Sequence, residues 1–207
     1  MGFISPRPRP GAGYKNLIYF TADTHFGHRK IIDYSLRPFA SLDEHDQALT
    51  ANWNAIVRPE DEVYILGDFA FARDRQDVEK TALGLNGKKY LILGNHDQPE
   101  LCQDSFEWVR DYYVLEAYGL KWVLFHFPLL IWWKQAKTVH LYGHVHNKAG
   151  KKNSPFQRQY KFLASQERCF NVGVDVNGFA PVSAEALIQR LKPPLAPKIS
   201  AGEIKNS

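Results

Sequence analysis

Short apolar runs separated by longer polar segments define the first half of the chain. Three of these runs are rich in β-favouring residues and short enough to be strands: Leu17–Thr21, Val63–Leu66 and Tyr90–Leu93. Each run is followed within two residues by glycine, aspartate or asparagine, which are typical of the turn after a strand. The segments between the runs are long enough to hold helices, so the pattern predicts βαβ units and a partly parallel sheet.

The polar segments between these runs carry helical signals. Ser41 and Glu44 match a capping box, and apolar residues follow at near-helical spacing, which predicts a helix to about Val57. Residues 74–86 also fit a helix, which Gly87 would stop.

The second half of the chain is richer in strands. Tyr112–Tyr118 and Lys121–Phe125 flank Gly119 and predict an antiparallel hairpin, and Val139–Tyr142 predicts a further short strand. Residues 147–168 are predicted to be a long polar loop, whose length is unusual in a compact domain and indicates function or mobility.

The last predicted elements are a strand at Cys169–Val176 and a short helix from Pro181 to Leu191, capped by Ser183. We therefore expect three segments along the chain. These are a flexible basic Pro/Gly-rich arm at residues 1–16, a single domain at 17–192 and a disordered tail at 193–207.

Composition excludes several classes of protein. A chain of 207 residues with 44% hydrophobic and 23% charged residues is ordinary for a globular protein with a substantial core. No apolar run approaches the roughly 20 residues of a membrane-spanning helix, and the N-terminal arm lacks the apolar centre of a secretory signal. Two cysteines, Cys102 and Cys169, are too few for a disulfide framework. We expect a cytoplasmic protein with reduced cysteines and no membrane attachment.

The net charge of +4 is unevenly distributed. Residues 1–16 carry +3 and residues 147–168 carry +5, which leaves −4 for the rest of the chain. A diffuse nucleic-acid-binding surface would be distributed differently. The basic character therefore belongs to one arm and one loop of a mildly acidic body.

The chemistry of the chain lies in five motifs at the ends of the apolar runs. They are, in order, Asp23-x-His25, Gly67-Asp68, Gly94-Asn95-His96-Asp97, His126 and Gly143-His144-x-His146. Ligand sites of open α/β sheets lie beyond the carboxyl ends of the strands, where these residues stand. Carboxylates, imidazoles and one amide suit two adjacent divalent cations with an activated water between them. Because imidazole is abundant and thiolate absent from the set, the favoured ions are Mn, Fe, Ni or Zn, and among these we put Mn²⁺ first.

Each residue also has a structural interpretation when it is taken alone. Asp68 could be a turn former, Asn95 the start of an Asx turn and His126 a core histidine. His144 and His146 alternate on a segment predicted to be extended, so both would point to the same side, as a metal pair requires. Five motifs in series favour the metal site. His45, His140 and Asp175 are expected to be structural instead.

This order of motifs resembles the calcineurin-like metallophosphoesterase superfamily, and the start Asp-Thr-His-Phe-Gly-His resembles its small bacterial and phage-borne members. The resemblance spans Leu17 to Leu191, and no ligand position departs from it. It implies a fold of two mixed β-sheets packed face to face and flanked by helices. It also implies one metal on Asp23, His25, Asp68 and His146 and a second on Asp68, Asn95, His126 and His144.

The resemblance implies roles for the remaining motif residues. His96 would contact phosphate and protonate the leaving group, and Asp97 would orient it.

His28 and Arg29, close to the first motif, are further candidates for substrate binding, as is Asn95; alternatively, His28 and Arg29 merely face solvent. The basic residues of 147–168, with Phe156, Tyr160 and Phe162 between them, could attract an anionic ester and stack a base. A solvated flap without a substrate role is the alternative.

The sequence therefore predicts a metal-dependent phosphoesterase that attacks phosphorus with a metal-bridged hydroxide. The substrate would be a phosphodiester or phosphomonoester, such as a small phosphate ester, a nucleotide or a nucleic-acid end. Two other classes stay open: a non-catalytic scaffold of the same fold that serves protein–protein contacts, and a nucleic-acid-binding module that uses the two basic segments. Lost ligands would indicate the scaffold. Binding that needs low salt but no metal would indicate the nucleic-acid module.

Overall fold

Two β-sheets packed face to face form the centre of the computed structural model, which describes residues 16–147 and 157–191. The strands are β1 (Ile18–Thr21), β2 (Glu62–Leu66), β3 (Lys88–Ile92), β4 (Val109–Arg110), β5 (Tyr112–Ala117), β6 (Leu120–Phe125), β7 (Val139–Tyr142), β8 (Cys169–Asn171) and β9 (Val182–Ser183). The helices are α1 (Arg29–Ser35), α2 (Leu42–Ile56), α3 (Arg75–Leu83), α4 (Pro99–Cys102), α5 (Gln157–Ser165) and α6 (Ala184–Arg190).

Both sheets are mixed. The first has the order β4-β3-β2-β1-β9, in which β1 to β4 are parallel and β9 is antiparallel to β1. The second has the order β5-β6-β7-β8, with a β5–β6 hairpin followed by parallel pairs. This architecture is the α/β sandwich of two mixed sheets flanked by helices that the sequence predicts.

Alternation along the strands separates three hydrophobic layers. Phe20 and Leu66 of the first sheet meet Trp122 and Leu141 of the second in the central core. The opposite faces carry the other two layers. Residues of β1 to β3 pack against Leu49 and Trp53 of α2 and against α3, and the second sheet packs against Leu163 of α5. The order of layers is thus helix, sheet, sheet, helix.

Most predicted elements are present, and two caps form as expected. The Ser41 hydroxyl accepts from the Glu44 amide at 3.1 Å, and the Ser183 hydroxyl accepts from the Ala186 amide at 3.1 Å. No helix among the described residues is long and apolar enough to cross a membrane. The arm at 1–15 and the chain from 192 onward lie outside those residues, so the predictions about both termini stay predictions.

Two predicted segments differ from the structure. The polar loop predicted at 147–168 contains helix α5, because Leu163 at 3% exposure anchors an amphipathic face on the second sheet. The strand predicted at Cys169–Val176 ends after three residues, where the Asn171 side chain accepts from the Gly173 amide at 2.8 Å and turns the chain into a 3-10 helix. Residues 148–156 lie outside the described part of the chain.

Candidate metal centre

Five strands from the two sheets end at one place. Asp23, Asp68 and Asn95 follow the parallel strands β1, β2 and β3, while His126 and His144 follow β6 and β7. The Asp23 carboxylate joins the two sheets, because both its oxygens lie 2.9 Å from the His144 amide. The predicted ligands therefore meet at the carboxyl ends of the strands.

The predicted ligand residues form two groups. Asp23, His25 and His146 offer donor atoms within 4.8 Å of one another, and so do Asp68, His126 and His144. Asn95 belongs with the second group, since its amide oxygen lies 3.2 Å from Nε2 of His126 and 2.9 Å from Nδ1 of His144. We call the first set group A and the second set, with Asn95, group B.

Asp68 lies between the two groups. Its Oδ2 is 3.5 Å from Nε2 of His25 in group A and 3.5 Å from Nε2 of His126 in group B. Its other oxygen accepts from the His96 amide at 2.9 Å, which orients the carboxylate. One oxygen that faces both groups equally is the arrangement expected of a bridging ligand.

The backbone at the ligands is unusual. Five of the seven predicted ligands have φ between 47° and 68°, a left-handed conformation that is uncommon outside glycine: Asp23, His25, Asp68, His144 and His146. The expectation of an extended segment at His144 and His146 is therefore wrong. Both residues are left-handed beyond the end of β7, and their side chains enter different groups. Such strained conformations cluster at functional sites.

Two glycines leave the space that the ligands occupy. A Cβ at Gly94 would lie 2.2 Å from Oδ1 of Asp68, and a Cβ at Gly67 would lie 2.3 Å from Nδ1 of His126. Gly67 also has φ of +87°. Any other residue at these positions would displace a ligand of group B.

Outer partners orient two of the imidazoles. Nδ1 of His126 is 2.7 Å from the Leu66 carbonyl oxygen, which can only accept, so Nδ1 carries the proton and Nε2 presents a lone pair to group B. Nδ1 of His146 is 2.7 Å from the Asp175 carboxylate, which fixes that ring in the same way. Asp175 therefore acts as the structural hydrogen-bonding acid that the sequence indicates.

Arg37 connects these partners, and no sequence motif indicates its role. The buried guanidinium donates to both oxygens of Asp175 at 2.9 Å. It also donates to the Asp23 carbonyl oxygen at 2.7 Å and the Thr24 carbonyl oxygen at 2.9 Å. Arg37 thus ties the loop after β1 to the segment after β8. A lone arginine between two loops carries no periodicity or spacing, so only the structure reveals it.

His45 extends this connection into α2. Its Nε2 is 2.6 Å from the Arg37 guanidinium, which can only donate, and its Nδ1 is 2.7 Å from the Asp46 carboxylate. Asp46 in turn accepts from the Gly27 amide at 3.1 Å. His45 is therefore structural, as expected, and its contacts brace the turn that carries His25.

The loop after β3 carries the residues predicted to handle the proton. His96 is exposed, and its ring centroid lies 5.4 Å from that of His25. The Asp97 carboxylate accepts from the amides of Asp68 and Gly94 at 2.8 Å and of Phe69 at 2.9 Å. These bonds position the loop rather than the His96 ring, and an effect of Asp97 on that ring stays a prediction.

The two further substrate-binding candidates occupy different places. His28 lies at the site, with Nδ1 3.4 Å from Nδ1 of His25 and its ring stacked on Phe71 at 4.7 Å. Arg29 begins α1, with its half-exposed guanidinium 3.5 Å from Asp33. The structure thus brings His28 to group A and leaves Arg29 in a surface ion pair. Phosphate binding by either residue stays a prediction.

Burial shifts the charges of group A towards neutrality. Burial raises the pKa of Asp23 to about 6, although His146 and His126 lower it. Burial also lowers the pKa of His25 far below its ordinary value, so its imidazole is neutral. Nε2 of His25 is buried without a hydrogen-bond partner. A neutral imidazole nitrogen with no partner, directed at a carboxylate, fits a ligand atom for a divalent cation.

The site thus fits two transition-metal ions by its own chemistry. Its donors are carboxylate, imidazole and amide atoms, a set that suits borderline first-row cations. Group A and group B each offer at least three donors, and Asp68 faces both.

Comparison with known proteins agrees with this geometry. A family model described as calcineurin-like phosphoesterase matches residues 17–184. An uncharacterized protein of Methanocaldococcus jannaschii is 31% identical over 176 residues, which is 84% of this chain and 91% of that protein. The Gene 66 protein of Mycobacterium phage L5 is 35% identical over 103 residues, covering 47% of this chain and 48% of its own.

A solved structure shares the fold over nearly its whole length. The crystal structure of a protein of unknown function from Aquifex aeolicus aligns with a TM-score of 0.67 and 25% identity. The alignment covers 84% of this chain and 99% of that one. The resemblance inferred from the motifs is therefore confirmed, and the chain belongs to the calcineurin-like phosphoesterase family.

Proposed function

We propose that this chain is a metal-dependent phosphoesterase that hydrolyses a phosphate ester at a dinuclear centre formed by groups A and B. The observation that carries the proposal is the Asp68 oxygen placed 3.5 Å from an imidazole of each group. Asp23, His25 and His146 would hold one cation, and Asn95, His126 and His144 the other, with Asp68 shared. When bound, two divalent cations would supply a water of lowered pKa as the in-line nucleophile and neutralise charge on phosphorus. Mn²⁺ is the ion we favour.

The remaining residues of the site would handle the substrate. His96 lies on the exposed side of group A, where its ring can protonate the departing ester oxygen. Its backbone amide is held by Asp68, so the loop keeps the ring beside the reacting atoms. His28, whose ring is partly exposed next to His25, would contact the phosphate.

The charge distribution supports an anionic substrate. The segment from 147 to 168 follows His146 directly in the sequence and carries a net charge of +5. Exposed cations beside a cleft raise the local concentration of anions. A small phosphate ester or a nucleotide would benefit from this attraction.

Activity of the purified protein tests the proposal. The protein would be stripped with a chelator, reloaded with Mn²⁺, Fe²⁺, Ni²⁺ or Zn²⁺, and assayed on p-nitrophenyl phosphate and bis-p-nitrophenyl phosphate. We expect hydrolysis that depends on metal and reaches its maximum near two ions per chain. A scaffold without chemistry would bind metal and hydrolyse neither ester, and that outcome would overturn the proposal.

A further inference from the structure

We propose that Phe71 and Phe127 hold the two organic groups of a phosphodiester, so that this enzyme prefers diesters with a planar ring on each side of phosphorus. The inference rests on the proposed function and narrows its substrate class. Each phenylalanine lies beside a different group, and both rings face solvent, with exposed fractions of 58% for Phe71 and 37% for Phe127.

Phe71 lies beyond group A. Its ring stacks on His28 with centroids 4.7 Å apart and an interplanar angle of 18°, and His28 contacts the ligand His25. The backbone holds the ring there, since the Phe71 amide donates to the Phe26 carbonyl oxygen at 2.7 Å. Phe71 is therefore one side chain away from the ligands while more than half of it faces solvent.

Phe127 lies beyond group B. Its ring centroid is 4.7 Å from that of His144 and 4.9 Å from that of His126. The Phe125 ring centroid lies 5.6 Å from that of Phe127, and the centroid of the exposed Tyr112 lies 6.3 Å from that of Phe125. A continuous row of aromatic rings thus leads away from this side of the centre.

The two exposed rings match the shape of a diester. A phosphate bound between groups A and B would direct substituents towards both rings, and aromatic surfaces favour planar rings. A monoester has one organic group and would leave one ring without a partner. It would also bring a second negative charge, whereas Arg29 and Arg37 already have carboxylate partners in Asp33 and Asp175. A diester needs less cationic compensation and uses both rings.

A groove beside Phe71 restricts the organic group on that side. It has a volume of about 1070 Å³, and its lining includes Gly27 and Phe71, whose ring stacks on His28. Three carboxylates (Asp43, Asp46 and Asp77) and two cations (Arg73 and Lys80) line it. Arg73 is already paired with Asp77 at 3.2 Å. The groove therefore favours an uncharged organic group over one that carries further phosphates.

Three esters with one leaving group test the preference. Bis-p-nitrophenyl phosphate, methyl p-nitrophenyl phosphate and p-nitrophenyl phosphate all release p-nitrophenolate, so they differ only in the group that stays on phosphorus. We expect kcat/KM of the metal-loaded protein, divided by the uncatalysed hydrolysis rate of each ester, to fall in that order. A monoester hydrolysed as well as the bis-aryl ester would overturn the inference and leave the proposed function intact.

Single variants assign the rings. One of Phe71→Ala and Phe127→Ala should lower kcat/KM for all three esters, because it removes the ring that contacts the leaving aryl group. The other substitution should lower kcat/KM for the bis-aryl ester alone, by about 3- to 10-fold, which is the size of one aromatic contact. Ile131→Ala, at a residue 83% exposed in the loop after His126, is the matched control and should leave the order unchanged. An equal loss in the control would overturn the assignment.

Binding separates this inference from catalysis. Diphenyl phosphinate and phenylphosphonate imitate a diester and a monoester and cannot be hydrolysed. Calorimetry on the metal-loaded protein should show tighter binding of the diphenyl compound, weakened in both Phe→Ala variants. If no ester is hydrolysed, the proposed function fails while this binding result still decides the role of the rings. Equal binding of the two compounds would overturn that role.

Discussion

At the scale of single residues, the site depends on backbone conformations that residue type alone does not predict. Left-handed backbone at Asp23, His25 and Asp68 turns each side chain from its strand towards the centre. Such a conformation costs on the order of 1–3 kcal/mol per residue, which the surrounding packing must offset. The motifs predict which residues are the candidate ligands, but they do not predict this geometry, because sequence patterns carry no signal for a left-handed aspartate or histidine. The motifs indicate which residues meet, and only the structure shows how.

Substitution of Asp68 tests whether one residue is a ligand of both cations. Asp68→Ala should lose both cations, because each group then lacks the oxygen that faces it. The affinity loss should exceed the roughly 10–100-fold that changes in outer partners cause. Asp68→Asn, which keeps an acceptor for the His96 amide, is the control for loop position. Elemental analysis decides the matter, and two cations per chain in the alanine variant would contradict a shared role.

His96 tests the general acid. His96→Ala should keep both cations and lower kcat by about 10²–10⁴-fold on an ester with a poor leaving group. The loss should be smaller on p-nitrophenyl esters, because p-nitrophenolate departs without a proton. Steady-state kinetics on both kinds of ester give the comparison. Equal losses with the metals intact would reduce His96 to a phosphate-binding residue.

At the scale of elements, the sequence predicts what periodicity controls and fails where tertiary contacts decide. Strands β1 to β3 and helix α2 are confirmed, because alternation and a capping box specify them locally. Strand β9 has two residues that exist as a strand only through pairing with β1. Helix α5 lies in a charged segment whose apolar face becomes evident only against the second sheet. Short edge strands and marginal helices are therefore the elements that sequence patterns miss.

The contact between Asp175 and His146 gives a prediction at this scale, because it joins the 3-10 helix after β8 to the loop after β7. Asp175→Asn should weaken cation binding at group A by about 10–100-fold, as loss of an outer carboxylate does elsewhere. Group B should keep its affinity, since His126 is oriented by the Leu66 carbonyl instead.

Removing the Asp175 charge also leaves Arg37 buried without its carboxylate, so unfolding free energy should fall by about 3–5 kcal/mol. Calorimetric titration with Mn²⁺ would resolve the two sites, and thermal unfolding would report the stability. Asp61→Asn is the matched control, because Asp61 is also buried but accepts from the Leu17 and Arg58 amides at 2.9 Å, at the amino ends of β1 and β2. An equal loss of affinity at both groups would indicate a general loosening of the fold.

At the scale of the whole molecule, the site forms only when the two sheets pack against each other in one relative position. Asp23 of the first sheet and His144 of the second meet through hydrogen bonds of 2.9 Å, so the central core between the sheets sets the spacing of the ligands. The sequence predicts two sheets through resemblance, because periodicity alone indicates strands without their partners. The stability of the sandwich and the geometry of the candidate site are therefore coupled.

His140 makes that stability depend on pH. Its side chain is fully buried on the outer face of the second sheet; Nδ1 donates to the Val123 carbonyl oxygen and Nε2 accepts from the Leu129 amide, both at 3.1 Å. Burial lowers the pKa of His140 to about 4. In the unfolded chain the His140 imidazole has a pKa near 6.5, so between about pH 6.5 and 4 it binds a proton there but not in the folded chain. The stability that neutral His140 contributes is therefore complete above about pH 6.5 and is lost as pH falls towards 4.

His140→Gln isolates this contribution. Glutamine can donate to one partner and accept from the other but does not titrate, so the variant should lose less stability in acid. We expect the difference in unfolding free energy between wild type and variant to change by about 2–3 kcal/mol between pH 7.5 and 4.5. Urea unfolding in the presence of a chelator measures it, and the comparison cancels the titration of the metal-site histidines, which both proteins share. Parallel pH profiles would show that His140 is protonated equally in the folded and unfolded chain.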